Sequence, residues 1–270
     1  INKDNPTPKL GAIESTNPCG EQPLLPYEAC NLGSINLAKM VKEDNGNAEI
    51  DWNKLKKTVH KAVHFLDNVI DASKFPLAKI TEMVKTNRKI GLGVMGFADL
   101  LYKLGIPYDS EEAVQFAGKL ASFIQQEAHR ASEELAGERG CFPNWKGSTW
   151  DTKHHRRMRN AASITIAPTG SISLIAGCSS GIEPNFSLVY ERKVEDERTI
   201  IVDPVFERIA RERGFYRPGL IEELLNCGSL KNVDGIPDQV KRVFVTALEI
   251  QPEWHVRMQA AFQQFTDSAV

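Results

Sequence analysis

Ser15-Thr16-Asn17-Pro18-Cys19-Gly20-Glu21-Gln22-Pro23-Leu24, then Ala29-Cys30-Asn31-Leu32-Gly33-Ser34-Ile35-Asn36-Leu37, is the stretch that decides how this chain is read. It sets an amide, a thiol and a carboxylate at alternating positions 17, 19 and 21. Side chains at i, i+2 and i+4 of an extended segment share a face, and Pro18 restricts Asn17 to extended conformations. Gly20 lets the chain turn or approach a ligand closely. The expectation is one hydrogen-bonding amide, one sulfur and one base aimed into a small volume, with Cys30 coming up behind them. Such a set suits redox or radical chemistry on a polar small molecule. Taken singly, each residue has a plainer reading: a lone cysteine is most often a small buried hydrophobe, and Asn-Pro is an ordinary turn initiator. Two thiols eleven apart also admit a metal site or a disulfide. Zinc ligands, however, usually come as cysteine pairs two to four residues apart, and neither thiol has such a neighbour.

A second string lies downstream: Ala167-Pro168-Thr169-Gly170-Ser171-Ile172-Ser173, then Gly181-Ile182-Glu183-Pro184-Asn185. Ala162 to Ala167 reads as a short strand, running into a Gly/Ser/Thr turn and a short helix from Ile172 to Ala176. Helix N-termini offer free N–H groups and a favourable dipole to anions; an ordinary capped turn is the plainer reading. Taken together, in this order and spacing, the two strings closely resemble the radical-cysteine loop and the phosphate-binding loop of ribonucleotide reductases. The likeness is greatest to the adenosylcobalamin-dependent class II type. Gly91-Leu92-Gly93-Val94-Met95-Gly96-Phe97-Ala98-Asp99-Leu100 is also similar to that family.

The resemblance implies an α/β fold, the C-terminal half of a ten-stranded barrel with many helices. It implies reduction of ribonucleotides to deoxyribonucleotides by thiyl-radical chemistry, with adenosylcobalamin as cofactor. Cys19 would carry the radical and take the 3′-hydrogen of the ribose. Glu21 would accept the 3′-OH proton, and Asn17 would hold the substrate hydroxyls. Cys30 would be one of two reducing thiols, its partner lying on an early barrel strand outside this chain. Pro168, Thr169, Gly170, Ser171, Ile172 and Ser173 would hold the phosphates of a nucleoside di- or triphosphate. A thioredoxin-like reductant, the missing N-terminal half of the barrel and a second copy of the full enzyme are the implied partners. The polar start without an initiator Met, and the stop after a helical pattern, read as cut ends, so residues 1–270 are expected to be one portion of a longer barrel domain. Two alternatives stand: a class I large subunit fed by a radical partner, and a complementing half that is inactive alone.

Composition limits the remaining classes. A chain of 270 residues with 41% hydrophobic residues and a formal charge of −2 gives no support for a nucleic-acid-binding surface. No apolar run reaches membrane-spanning length. Five cysteines at irregular spacing are no disulfide framework and fit a reducing cytoplasm; Cys141, Cys178 and Cys227 read as structural thiols. No metal site is expected. His60 and His64 stand one helical turn apart without a ligand pattern, and His154-His155 reads as part of a solvated basic segment. Gly91, Gly93 and Gly96 read as close-packing residues, since no βαβ unit with a terminal acid accompanies them.

Periodicity places helices over about 52–72, with Asp51 as N-cap, 77–84, 95–104 and from Ser110 to Gly137. Further helices are predicted over about 204–213, 218–226, 237–248 and 252–268, with strands over 89–94 and 186–191.

Overall fold

The computed structural model describes residues 1–44, 47–194 and 197–270. The strands among them are β1 (Ser15–Thr16), β2 (Pro23–Leu24), β3 (Asn31–Asn36), β4 (Val41–Asp44), β5 (Asn47–Ile50), β6 (Ile90–Met95), β7 (Val189–Val194) and β8 (Glu197–Val202). The helices are α1 (Trp52–Ala72), α2 (Ala78–Asn87), α3 (Phe97–Leu104), α4 (Glu111–Arg139), α5 (Thr149–Thr152), α6 (Gly170–Ala176), α7 (Pro204–Glu212), α8 (Leu220–Cys227), α9 (Asp238–Val243) and α10 (Pro252–Gln263).

The centre is a parallel pair, β3 and β6, in register from Asn31 opposite Ile90 to Asn36 opposite Met95. Residues 162–165 run along the other side of β6. There the Ile90 and Leu92 amides donate to the carbonyls of Ala162 and Ser163, and the Thr165 amide donates to that of Leu92. Leu92 and Ile164 form a parallel bridge. Parallel neighbours require long crossovers; α1 and α2 lie in the first, and α3, α4 and α5 in the second. The result is an arc of three parallel segments. The other pairs, β1–β2, β4–β5 and β7–β8, are antiparallel ribbons.

Every residue of β6 is buried, as expected of a parallel strand covered on both faces. Leu55, Val59, Val63 and Leu66 of α1 meet the sheet and the alanine-rich face of α4. Ala113, Ala117, Ala128 and Ala131 on that face are buried, and their small side chains let α1 come close. Met258 and Phe262 of α10 complete the same core. A second core gathers Phe206, Leu220, Leu224, Val240 and Phe244 from α7, α8 and α9 around Leu188 and Val189. The glycines of β6 are packing residues. A Cβ at Gly93 would collide with the Thr165 carbonyl oxygen, and one at Gly91 with the Leu32 side chain.

One polar knot lies beneath this sheet. Asp67 of α1 is fully buried. Its Oδ1 accepts from Arg88 Nε at 2.9 Å and Asn160 Nδ2 at 3.1 Å, and its Oδ2 from Arg159 Nε at 3.2 Å and Arg139 Nη1 at 3.4 Å. Arg88 also binds Asp71 at 2.8 Å, and that hydrogen bond holds the Asp71 carboxyl below its usual range. The knot ties α1 to the ends of α2 and α4 and to the loop before residue 162.

Several boundaries differ from the periodic reading. The segment 162–167 is a single bridged segment rather than a full strand, and its other edge is hydrogen-bonded to residues 267–269. The 186–191 strand begins later, at Val189. The predicted 237–248 helix stops at Val243, where Glu249 Oε2 takes the Thr246 amide (2.9 Å) and hydroxyl (2.8 Å) into a tight turn. The predicted 252–268 helix stops at Gln263, because Asp267 is drawn to the amides of Ser163 (2.8 Å) and Ile164 (3.1 Å) and to His129 (2.8 Å).

Candidate active site

Ser15 pairs with Leu24 and Thr16 with Pro23, so residues 17–22 close a β-hairpin. Asn17 ties both ends of the loop. Its amide donates to the Gln22 carbonyl (3.1 Å), its carbonyl accepts from Gly20 N (3.1 Å), and its side-chain Oδ1 accepts from Gln22 N (2.9 Å). Gly20 sits at φ +90°, a conformation that favours glycine. The extended, one-faced stretch expected from alternation is therefore corrected: the segment is a turn. Cys19 stands exposed at its tip, whereas Glu21 folds back inward and is 3% exposed. Asn17 is half-buried, with its amide oxygen engaged in holding the loop.

The loop is bolted down from two sides. The Glu21 carbonyl accepts from Thr165 Oγ1 (2.8 Å) and from Ala269 N (3.0 Å). Gln22 Oε1 accepts from Ser268 Oγ (3.2 Å). Two buried polar atoms in this tightly held region have no hydrogen-bond partner among the described residues, Glu21 Oε2 and Gln22 Nε2. A buried orphan of this kind costs about 1–3 kcal/mol, and each one calls for an explanation such as a ligand or water.

Cys19 and Glu21 face a cavity of about 330 Å³, within the size range of small-molecule sites. Its opposite wall is Pro168 together with Gly181, Ile182, Glu183 and Pro184, so the two sequence strings meet across it. Three further polar lining residues carried no motif: Tyr108, His255 and Gln259. The Tyr108 hydroxyl donates to the Ile182 carbonyl (2.9 Å), and burial, then the Glu183 charge, push its phenol well up. His255 and Gln259 are one turn apart on α10; that i, i+4 spacing was the signal available in the sequence.

Thr169, at φ +58°, precedes α6, and its Oγ1 accepts from Gly181 N at 2.8 Å. This bond joins the 168–173 loop to the Gly-Ile-Glu-Pro element. Ser173 is buried, its amide donating to the Thr169 carbonyl (2.9 Å) and its hydroxyl bonded to that of Ser180 (3.0 Å). Of the six residues expected to hold phosphate, Thr169 and Ser173 therefore use their side chains internally. Gly170, Ser171 and Ile172 are exposed, and their first-turn amides are those a helix leaves without intrahelical partners. The helix begins at Gly170, two residues before the expected start.

Cys30 is half-buried just before β3 and is not among the residues lining the cavity. Its thiol donates to the Asn31 carbonyl at 3.3 Å. Burial pushes it well above its ordinary pKa; Lys89 opposes this, and the charges of Glu28 and Glu21 add to it. All five cysteines are free.

A sequence model described as "Ribonucleotide reductase, barrel domain" matches residues 1–270. The chain belongs to this family. A vitamin B12-dependent ribonucleoside-diphosphate reductase of Thermoplasma acidophilum is 54% identical over 271 residues, covering 100% of the chain and 35% of the relative. One of Mycobacterium tuberculosis bearing the same name is 51% identical over 270 residues, covering 100% of the chain and 38% of the relative. Among solved structures, the Actinobacillus ureae class Id ribonucleotide reductase alpha subunit superposes with a TM-score of 0.80 at 26% identity, over 99% of this chain and 49% of that one. The chain thus spans a little over a third of the length of these two curated relatives. Within this reductase barrel domain, the three parallel segments are an arc of the barrel wall, and the Cys19 hairpin is bound to its third segment at Thr165. No helix among the described residues is long and apolar enough to cross a membrane.

Proposed function

We propose that this chain is the part of a ribonucleotide reductase that carries the radical cysteine, and that its cavity receives the ribose of a nucleoside diphosphate. The observation that carries the reading is the meeting of Cys19 and Glu21 with Pro168 and the Gly181–Pro184 wall around one cavity. The names of the two curated relatives favour a diphosphate over a triphosphate and a cobalamin cofactor over a radical partner subunit.

The exposed thiol at the hairpin tip suits adenosylcobalamin, because a hydrogen-atom donor must be reachable from outside the substrate cavity while still facing it. When bound, that cofactor supplies the radical that takes the thiol hydrogen, and Cys19 is the residue that would face it. The remaining chemistry belongs to the protein. The Cys19 sulfur takes the 3′-hydrogen of the ribose and later returns it; S–H and ribose C–H bonds are of comparable strength, so the step reverses. Glu21 Oε2, buried and unpartnered, accepts the 3′-OH proton. Asn17 steadies the loop and offers its amide nitrogen to a hydroxyl. The 2′-OH leaves as water. Cys30 and a second thiol from the rest of the barrel supply two electrons and two protons as they close to a disulfide. A thioredoxin-like dithiol reopens it by exchange. The exposed first-turn amides after Thr169 hold the phosphates.

The test uses this chain together with the rest of its barrel, with and without adenosylcobalamin. Hydrogen exchange between cofactor and solvent reports initiation, and deoxynucleotide formation reports turnover. Cys19→Ser is expected to abolish both signals; Cys30→Ser is expected to keep exchange and lose turnover. Equal loss of both signals in the two variants would mean that the sulfur roles are assigned wrongly. Turnover that ignores the cofactor would favour the reading as a large subunit served by a separate radical protein.

A further inference from the structure

Behind the Gly181–Pro184 wall lie three polar side chains that do not line the cavity. Asp99, in the first turn of α3, is 1% exposed. Its Oδ2 accepts from Ser179 N at 2.8 Å and its Oδ1 from Asn185 Nδ2 at 3.1 Å, so a single carboxylate holds the chain on both sides of the wall. Asn185 Nδ2 also donates to Asp203 Oδ2 at 3.0 Å. Asp203 in turn caps α7, its Oδ1 accepting from Phe206 N at 2.8 Å. Two carboxyls gathered around one amide cannot both ionise without repulsion. Burial, then the Asp99 charge, push the Asp203 carboxyl up to about 7, against the Phe206 amide, which lowers it.

Of the titratable groups around the pair, Tyr102 and Cys178 carry no counter-charge, while Lys103 offsets part of the Asp99 charge. Tyr102 of α3 is pushed well up by burial and by the charges of Asp203, Asp99 and Glu249, so it stays neutral. Burial, then the Asp99 charge, push Cys178 up to about 11. Lys103 is held by the Ala38 carbonyl at 2.7 Å; burial and the Arg208 charge lower its pKa, while Glu43 and Asp99 raise it.

We propose that Asp99, Asn185 and Asp203 are positioning residues: a proton shared by the two carboxyls keeps Asn185 bound to both and thereby sets the Gly181–Pro184 wall against which the ribonucleotide binds. The inference rests on reading the cavity as the ribonucleotide site. Loss of the shared proton drives the carboxylates apart, and Asn185 gives up one of them. The wall then loosens, and nucleotide affinity falls with rising pH.

The experiment uses this chain with the rest of its barrel and measures KM and kcat for a nucleoside diphosphate from pH 6 to 8.5. The wild type is expected to show KM rising about tenfold per pH unit above the titration point, with kcat changing far less. Asp203→Asn keeps an oxygen for Phe206 but replaces the one that accepts from Asn185; it removes the titrating carboxyl, so its KM is expected to be raised at low pH and not to vary with pH. Asn185→Ala is expected to raise KM at every pH. A wild-type slope retained in Asp203→Asn, or an unchanged KM in Asn185→Ala, overturns the proposal. Asp99→Asn serves as the second variant if Asp203→Asn does not fold, with the same flat profile expected. Hydrogen exchange of the Gly181 and Ile182 amides, referenced to amides elsewhere in the same sample, tests the clamp without any substrate. Those amides are expected to lose protection between pH 6 and pH 8 in wild type and to keep the same protection at both pH values in Asp203→Asn. Equal protection of the wild type at both pH values sinks the clamp whatever the cavity binds, whereas a wild type whose melting temperature no nucleotide raises sinks the ribonucleotide reading instead.

Discussion

Asp67 and Glu21 are both carboxylates withdrawn from water, yet their surroundings differ. Asp67 has a hydrogen-bond donor on every side, with three arginines and an asparagine on its two oxygens. Glu28, near the hairpin, is treated the same way: it accepts from Leu25 N (2.9 Å), Asn87 Nδ2 (2.7 Å) and Lys89 Nζ (2.7 Å). Glu21 has its backbone fixed by two hydrogen bonds, while one carboxylate oxygen is buried without a partner. A satisfied buried carboxylate joins elements of the fold. An unsatisfied one beside a cavity lowers stability unless a ligand completes it, and that is why Glu21 is the carboxylate proposed above for chemistry.

The sharpest way to break this comparison is to neutralise each carboxylate in turn. Glu21→Gln is expected to reduce turnover by about 10²–10⁴-fold, the range for losing a general base. Its melting temperature should stay near wild type, because no native bond to Oε2 is lost. A variant that keeps full turnover would remove Glu21 from the chemistry. Asp67→Asn should do the opposite in kind. Leaving buried arginines without their counter-charge is expected to cost about 3–5 kcal/mol in denaturant unfolding. A cost below about 1 kcal/mol would mean that the knot is solvated and structurally idle. At the small end, Cys227→Ser should cost less than about 1 kcal/mol, since that thiol is exposed and donates to the Ser229 carbonyl at 3.1 Å, a bond a hydroxyl can also make.

The same contrast explains what could be read in the sequence. The long helices were legible because their determinants are local: Asp51 and Ser110 cap α1 and α4 as their positions suggested, through hydrogen bonds of 2.9 and 3.1 Å. The apolar stripe from Leu55 to Ile70 faces the core as its spacing predicts. The meeting of positions 19 and 21 at one place was legible as a motif, but the local geometry was not. A hairpin with two-residue strands leaves no periodic trace, and alternation suggested an extended stretch instead. The cavity residues Tyr108, His255 and Gln259 were missed because they come from the loop before α4 and from α10, far from Cys19 in the chain, and meet it only in the fold. The early end of α10 was equally hidden. Helical periodicity continues through residue 268, but Asp267 finds better partners at Ser163 and Ile164.

The hydrogen bond between Gln22 and Ser268 joins residues 246 apart in the chain. Contacts this distant in sequence form late, since a long loop must close before they stabilise anything. At roughly 5–20 residues per second, translation would separate the emergence of the hairpin from that of its bolt by ~10–50 s. During that interval the rest of this arc can fold around a thiol loop still free to move. The Cys19 hairpin thus lies near the beginning of this sequence but is set in place near its end, so its thiol gains a fixed geometry only once the surrounding wall exists to enclose it.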